Sequence, residues 1–367
     1  RAVRARRPRA ETLSPPSGQL ASRSNGNPTR KRSAAIHGLT PWLSLALSMV
    51  FATSLFAQTS SQSFGSGTGS HTSQTGTLGF FQTPTGSGTN TWVRAGATAP
   101  NAPIVLANTG NPLGTANSFV RAVASSSTSV SKFSPILGYT ASTEFYTSFK
   151  VLVGDSSAGS TASSGSWTFY QGGGGTMYSD AADFAGAQVF ASLRFTFKAS
   201  GVASINYRGG AAWVVTGLTS TNFSQATVYT VEIVGNNKAS GTINYTYNGV
   251  SQSVAVQKFD LFINGTLVGD DLAQAQMSSG SNIDRLTFIG ISSTSNAANI
   301  FVDDVNVWNA VPASIGVAAP TLTTPTATSI GATAATLGAT ITSDGGASIT
   351  SRGTVYGTSA NPTGNGA

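Results

Sequence analysis

Apolar and polar residues alternate with a period of two along much of this chain. Phe145, Phe149, Val151 and Val153 alternate with Tyr146, Ser148 and Lys150, and Val189, Ala191, Leu193, Phe195 and Phe197 alternate with Ser192, Arg194, Thr196 and Lys198. That spacing belongs to strands with one buried face. Trp167 with Phe169, Ile205 with Tyr207, Ile243 with Tyr245 and Tyr247, and Leu286 with Phe288 supply further core faces. Between Val228 and Asp271, Asn248-Gly249 and Asn264-Gly265 each separate two runs of strand-type residues. Asn-Gly suits a type I′ hairpin turn, which needs positive φ at both central positions, so this stretch predicts a meander of antiparallel strands. No helical stripe competes with the strand pattern. Many short strands with one apolar face imply two antiparallel sheets packed face to face.

The wording of the meander adds a resemblance. Tyr229-Thr-Val-Glu-Ile-Val234, then Phe259-Asp-Leu-Phe-Ile-Asn-Gly-Thr-Leu-Val268, and the ending Ile300-Phe-Val-Asp-Asp-Val-Asn-Val-Trp308 resemble strands of the concanavalin A-like, laminin G-like family of jelly-roll sandwiches. The resemblance covers roughly residues 79 to 312. It implies an all-β, two-sheet antiparallel jelly roll. It leaves activity open, because such sandwiches host lectins, adhesive modules and glycosidases alike.

The ends of the chain have a different texture. Arg30-Lys-Arg32 precedes an apolar run from Pro41 to Ala57. A basic segment, an apolar stretch and a terminal small residue predict a secretory signal peptide, with cleavage after Ala57 or, alternatively, after Ala52. The competing reading, a membrane anchor, needs a span of about 20 apolar residues, which this run does not reach. Residues 1–57 are therefore read as an upstream extension and signal peptide, and residues 58–78, rich in Ser, Thr and Gly, as a flexible lead-in. From Ala318 the chain turns to Thr, Ala and Pro. Pro320 to Pro325, Ala335 to Ile341 and Ile349 to Tyr356 resemble the first strands of a fibronectin type III-like repeat, so residues 318–367 are expected to form part of such a sandwich. A whole one needs roughly 100 residues.

Charge and cysteine content narrow the function classes. The formal net charge is +7, but nine of the basic residues precede residue 33, and after Ala57 there are 11 basic and 12 acidic residues. No basic face for nucleic acid is expected from that balance. The absence of Cys excludes disulfides, thiolate metal sites and a Cys nucleophile, without speaking against secretion. Localisation outside the cell, with no membrane insertion once the signal is removed, is the expectation.

Few residues carry the signature of catalysis. His37 and His71 lie in the leader and the lead-in, where no scaffold orients them. Glu232 stands alone on its strand, Glu144 opens another, and Asp180 and Asp183 follow the run Gly172 to Gly175. None forms the spaced carboxylate pair of a glycosidase. The Gly run lacks the Gly-Lys-Ser/Thr ending of a phosphate loop. No catalytic residue is assigned, and the chain is read as not an enzyme.

Binding residues are easier to nominate. A sugar ring stacks its apolar face on a planar side chain, and Trp92, Tyr170, Tyr178, Tyr207 and Trp213 are candidates near turns or on polar strand faces. In the closing strand, strict alternation puts Phe301, Asp303, Val305 and Val307 on one face and Val302, Asp304, Asn306 and Trp308 on the other. One acid must then face an apolar layer. A structural calcium held by Asp303 or Asp304 would relieve that cost, and the family resemblance points the same way; the alternative is an edge-strand acid that discourages aggregation. The expected function is non-catalytic adhesion or glycan binding, with a polysaccharide or cell-surface glycan as partner. A structural spacer and a glycosidase are the rivals.

Overall fold

Both Asn-Gly pairs form the turns that their composition demands. Asn248 and Gly249 have φ of 48° and 78°, and Asn264 and Gly265 have φ of 49° and 76°, left-handed at both central positions. They join Ile243–Tyr247 to Val250–Val254 and Lys258–Ile263 to Thr266–Ala273. The computed structural model describes residues 58–71, 75–76, 81–95, 104–107, 109–124, 130–154, 162–174, 186–291, 298–316, 320–324, 326–331 and 334–343, all within the compact unit Ser54–Ala367. The signal peptide, Tyr178, Asp180, Asp183 and the strand expected at Ile349 to Tyr356 lie outside the described residues.

The stretch from Val228 to Asp271 is not one continuous meander. Val228–Asn236 pairs with Glu144–Val153 on one side and with Lys258–Ile263 on the other. The hairpin between them in sequence leaves that sheet and forms a small three-stranded sheet with Ser314–Ile315. The reason lies in its pattern. Ile243, Tyr245, Tyr247 and Val254 are buried against Tyr146, Val234 and Phe262, so the hairpin lies flat on the outer face of the large sheet instead of extending its edge.

The two large sheets have ten and nine strands and pair antiparallel throughout. They face each other across a shared core, the expected jelly-roll type of sandwich. From the ten-stranded sheet come Phe149, Val151, Val231 and Ile233; from the nine-stranded sheet come Phe133, Trp167, Phe169, Phe195 and Phe288. The Phe288 ring stacks on Phe133 at 5.1 Å and meets Phe149 of the opposite sheet edge-on at 5.3 Å. Such ring pairs add about 0.5–1.5 kcal/mol beyond the area they bury. Gly290 makes room for Trp167, because a Cβ there would overlap the indole. Polar groups also reach across this core: Gln171 Nε2 donates to Tyr139 at 2.9 Å and to Thr147 at 2.8 Å.

Between residues 320 and 343, Thr321–Leu322 pairs with Ile341–Ser343 and Thr326–Thr328 with Thr336–Gly338. Leu322, Ile330 and Leu337 of this segment are exposed. Among the described residues no helix is long and apolar enough to cross a membrane.

Candidate functional site

Strand alternation gives the nine-stranded sheet a polar outer face. Leu193, Phe195 and Phe197 point into the core, as do Ala203, Ile205 and Tyr207 on the neighbouring strand. Their alternates, Arg194 and Thr196 on Val189–Lys198 and Ser204, Asn206 and Arg208 on Val202–Gly209, therefore share the outer face, and all are half-buried. The register sets Arg194 beside Asn206, Thr196 beside Ser204, and Arg208 beside Trp213. Trp213 is half-buried, and the Arg194 guanidinium carbon lies 4.2 Å from its ring centroid. At that distance the guanidinium is attracted to the indole face and holds the ring in place. Toward the middle of the sheet the same face is closed, with Tyr170, Ser192, Thr287 and Lys132 all buried.

Of the aromatics nominated from sequence, Trp213 is the one this face presents. Tyr170 is buried behind it, ring centroids 6.3 Å apart. Tyr207 points into the core, where its ring meets Phe259 edge-on at 5.8 Å and its hydroxyl donates to the Thr216 carbonyl at 2.8 Å. Neither tyrosine offers a ring face to a sugar, because each sits on a buried phase of its strand or behind another ring. The backbone of Trp92 pairs with Phe133, and its side chain lies outside the described residues, as does Tyr178. Sequence reasoning missed Arg194, Asn206 and Arg208 as a group. The signal was present: both strands carry their cations on the polar phase and no acid on either phase.

The near-neutral total charge conceals a separation of charge by sheet. The strands of the nine-stranded sheet carry Arg94, Lys132, Arg194, Lys198, Arg208 and Arg285 against the single acid Asp284. Those of the ten-stranded sheet carry seven acids, among them Glu232, Asp260, Asp303 and Asp304, against Arg121, Lys150 and Lys258. The expectation of no basic face is drawn from the total, whereas strand pairing collects cations on the strands of one sheet.

The acids of the ten-stranded sheet are largely committed to structure. Glu232 is not isolated: it accepts hydrogen bonds from Tyr146 at 2.5 Å and from Tyr247 of the covering hairpin. Asp260, on the same outer face one strand over, accepts from Tyr245 at 2.6 Å and from the Asp271 amide at 2.8 Å. Burial raises Asp260 to about 6, with the Tyr245 and Asp271 hydrogen bonds opposing the shift. These two carboxylates share a face but are buried beneath the small sheet.

Strict alternation fails in the closing strand, Asn299–Trp308. The register slips between Asp303 and Asn306, and Asp304 takes a left-handed φ of 51°, a β-bulge that reverses the faces beyond it. Val302, Val305 and Val307 all reach the core, while Phe301 joins Leu113, Phe119 and Leu152 on the outside. Asp303 is buried, accepting from the Thr115 hydroxyl and, at 2.7 Å, from the Asp304 amide. Asp304 pairs with Lys150 at 3.1 Å. These protein groups offset part of the cost that suggested calcium. Among the described residues no cluster of three His, Cys, Asp or Glu side chains is placed to hold a metal.

Elsewhere a recess of about 570 Å³ is lined by Gly65, Ser66, Gly67, Gln82 and Asn117 and backed by Phe64 and Phe81, both buried.

No family model matches this sequence, and no curated protein matches it. Among solved structures the chain is similar to the alginate lyase Aly36B, at 12% identity over 59% of this chain and 86% of that one with a TM-score of 0.31. It is also similar to the galectin LEC-6 of Caenorhabditis elegans, at 13% identity over 51% and 94% with a TM-score of 0.25. A third is the potassium-bound carbohydrate recognition domain of Emp46p, at 8% identity over 54% and 85% with a TM-score of 0.32. At these identities and TM-scores the likeness has no bearing on the site.

Proposed function

We propose that this protein is a non-catalytic glycan-binding module of a secreted or cell-surface protein, and that it holds its ligand on the outer face of the nine-stranded sheet. The observation that carries the reading is the half-buried Trp213 ring, fixed by Arg194 beside a row of Asn206, Ser204 and Arg208. A planar ring with hydrogen-bonding groups at its margin is what a sugar needs: the ring takes the apolar face of the saccharide, and amide, hydroxyl and guanidinium groups take its oxygens. The contact is shallow. Little surplus remains after the entropic cost of association, so affinity in the micromolar to millimolar range is expected.

Catalysis would need an acid and a base at fixed separation beside the ligand. The strands Val189–Lys198, Val202–Gly209, Ala212–Val214 and Asn222–Ser224, which build this face, contain no acid. The test is a glycan array with the full secreted chain, followed by incubation with the strongest ligand and analysis for released sugars. Binding without release, lost in Trp213→Ala, supports the reading. Release abolished by Glu232→Gln would overturn it, as would no binding to any glycan. The same secreted material, sequenced from its N-terminus, is expected to begin at or near Gln58.

A further inference from the structure

We infer that the ligand of the Trp213 face is an acidic glycan, one bearing carboxylate or sulfate groups, bound through Arg194 and Arg208. The inference rests on the proposed glycan function of that face and adds the substrate class.

Three observations carry it. The first is composition by place: the strands that build the face contribute Arg194, Lys198 and Arg208 and no carboxylate. Those strands supply positive charge and no negative charge of their own. The second is incomplete hydrogen bonding. Nε of the half-buried Arg208 has no hydrogen-bond partner. Arg208 follows Tyr207 on its strand and lies opposite Trp213. Such donors are normally satisfied, and one left open in this half-buried row marks a place for an acceptor from outside. A guanidinium presents its donors in a planar fork that matches carboxylate and sulfate oxygens. The third is contrast. The outer face of the ten-stranded sheet holds acids, Glu232 accepting from two tyrosines and Asp304 paired with Lys150, so the strands of the two sheets differ in the sign of charge they carry.

A nucleic acid is the other polyanion to consider. It is bound through several phosphate cations and successive stacking rings, whereas the described residues of this face offer one half-buried ring, Trp213, and interleave their cations with Asn206, Ser204 and Thr196. Neutral hydrogen-bonding groups at that density suit a polymer of hydroxyls carrying scattered charges.

The experiment is affinity electrophoresis of the full chain through gels containing polygalacturonate, dextran sulfate, unmodified dextran or laminarin, with a single-stranded oligonucleotide as competitor. Retardation is expected in the two acidic polymers and not in the neutral ones. It should weaken as salt rises, because screening acts on partly exposed charges. Arg208→Ala and Arg194→Ala should each lower apparent affinity about tenfold, a loss of roughly 1.4 kcal/mol, with circular dichroism and melting temperature close to wild type. Arg208→Lys keeps the charge but not the fork, and should recover only part of the loss. Retardation by neutral glycans alone, or acidic binding unaffected by either Arg variant, would overturn this inference while leaving the glycan-binding function standing. Binding to no glycan would remove both. An oligonucleotide that displaces the acidic glycans at lower concentration would assign the face to nucleic acid and overturn both.

Discussion

Tyr247 donates its phenolic hydroxyl to Glu232 from a hairpin that belongs to a different sheet. Its ring also stacks on Phe262, centroids 3.8 Å apart and planes 11° from parallel. Tyr245, two residues earlier, repeats the arrangement with Asp260. Two carboxylates on the outer face of the ten-stranded sheet thus act as fixed acceptors for the small sheet that covers them.

Removing one of these hydroxyls leaves a buried carboxylate under-satisfied, which costs about 1–3 kcal/mol. Tyr247→Phe keeps the ring stack and removes only the donor. The expected outcome is a lower denaturant midpoint with an unchanged slope, since the area exposed on unfolding stays the same. A midpoint equal to wild type would show that Glu232 does not anchor the hairpin.

The same burial predicts an unusual pH dependence. Asp260 and Asp303 are each raised from 3.8 to about 6, burial being the main cause in both. A carboxyl whose folded-state value lies above its unfolded value holds its proton in the folded protein where the unfolded chain has lost it. Its stabilising contribution is therefore complete below about 3.8 and disappears as pH rises through about 6. A shift of this size is worth at most about 3 kcal/mol per group. Melting temperature should be higher at pH 5 than at pH 7.5, against the usual loss of stability toward acid. Asp260→Asn and Asp303→Asn should each flatten the profile. A wild-type profile flat between these pH values would mean that both acids stay ionised.

What the sequence revealed and what it hid have separable causes. Period-two alternation identified the inward residues of the strands around Phe149, Phe195 and Phe288, because burial of one strand face is local information. The Asn-Gly turns were equally legible, since both positions need a left-handed backbone. Strand partners were not. Nothing local tells the strand ending at Tyr247 to pack over Val234 and Phe262 when it could have extended their sheet. The faces of Asn299–Trp308 were misassigned beyond Asp303 because a bulge adds a residue without any Gly or Pro to announce it. For the candidate site, Trp213 was nominated, whereas the grouping of Arg194 with Arg208 depends on strand register, which alternation within one strand does not specify.

The bulge at Asp303 and Asp304 yields the last prediction, on calcium. Calcium takes six to eight oxygen ligands. At this bulge Asp303 already faces Thr115, and the ammonium of Lys150 sits 3.1 Å from Asp304 Oδ2, where a cation would bind. Calcium would have to displace a positive charge that the fold supplies. A ligand that binds only the folded state at a hundredfold excess over its dissociation constant adds about 2.7 kcal/mol, enough to move a melting curve by several degrees. For the wild-type chain, curves with calcium and with a chelator are expected to superimpose. Lys150→Ala removes the competing charge and leaves Asp304 without its ion-pair partner. In that variant calcium should raise the melting temperature above the chelator value, and Lys150→Arg should behave like wild type. A calcium-dependent rise of several degrees in the wild-type chain would show that Lys150 is not the resident cation of the bulge.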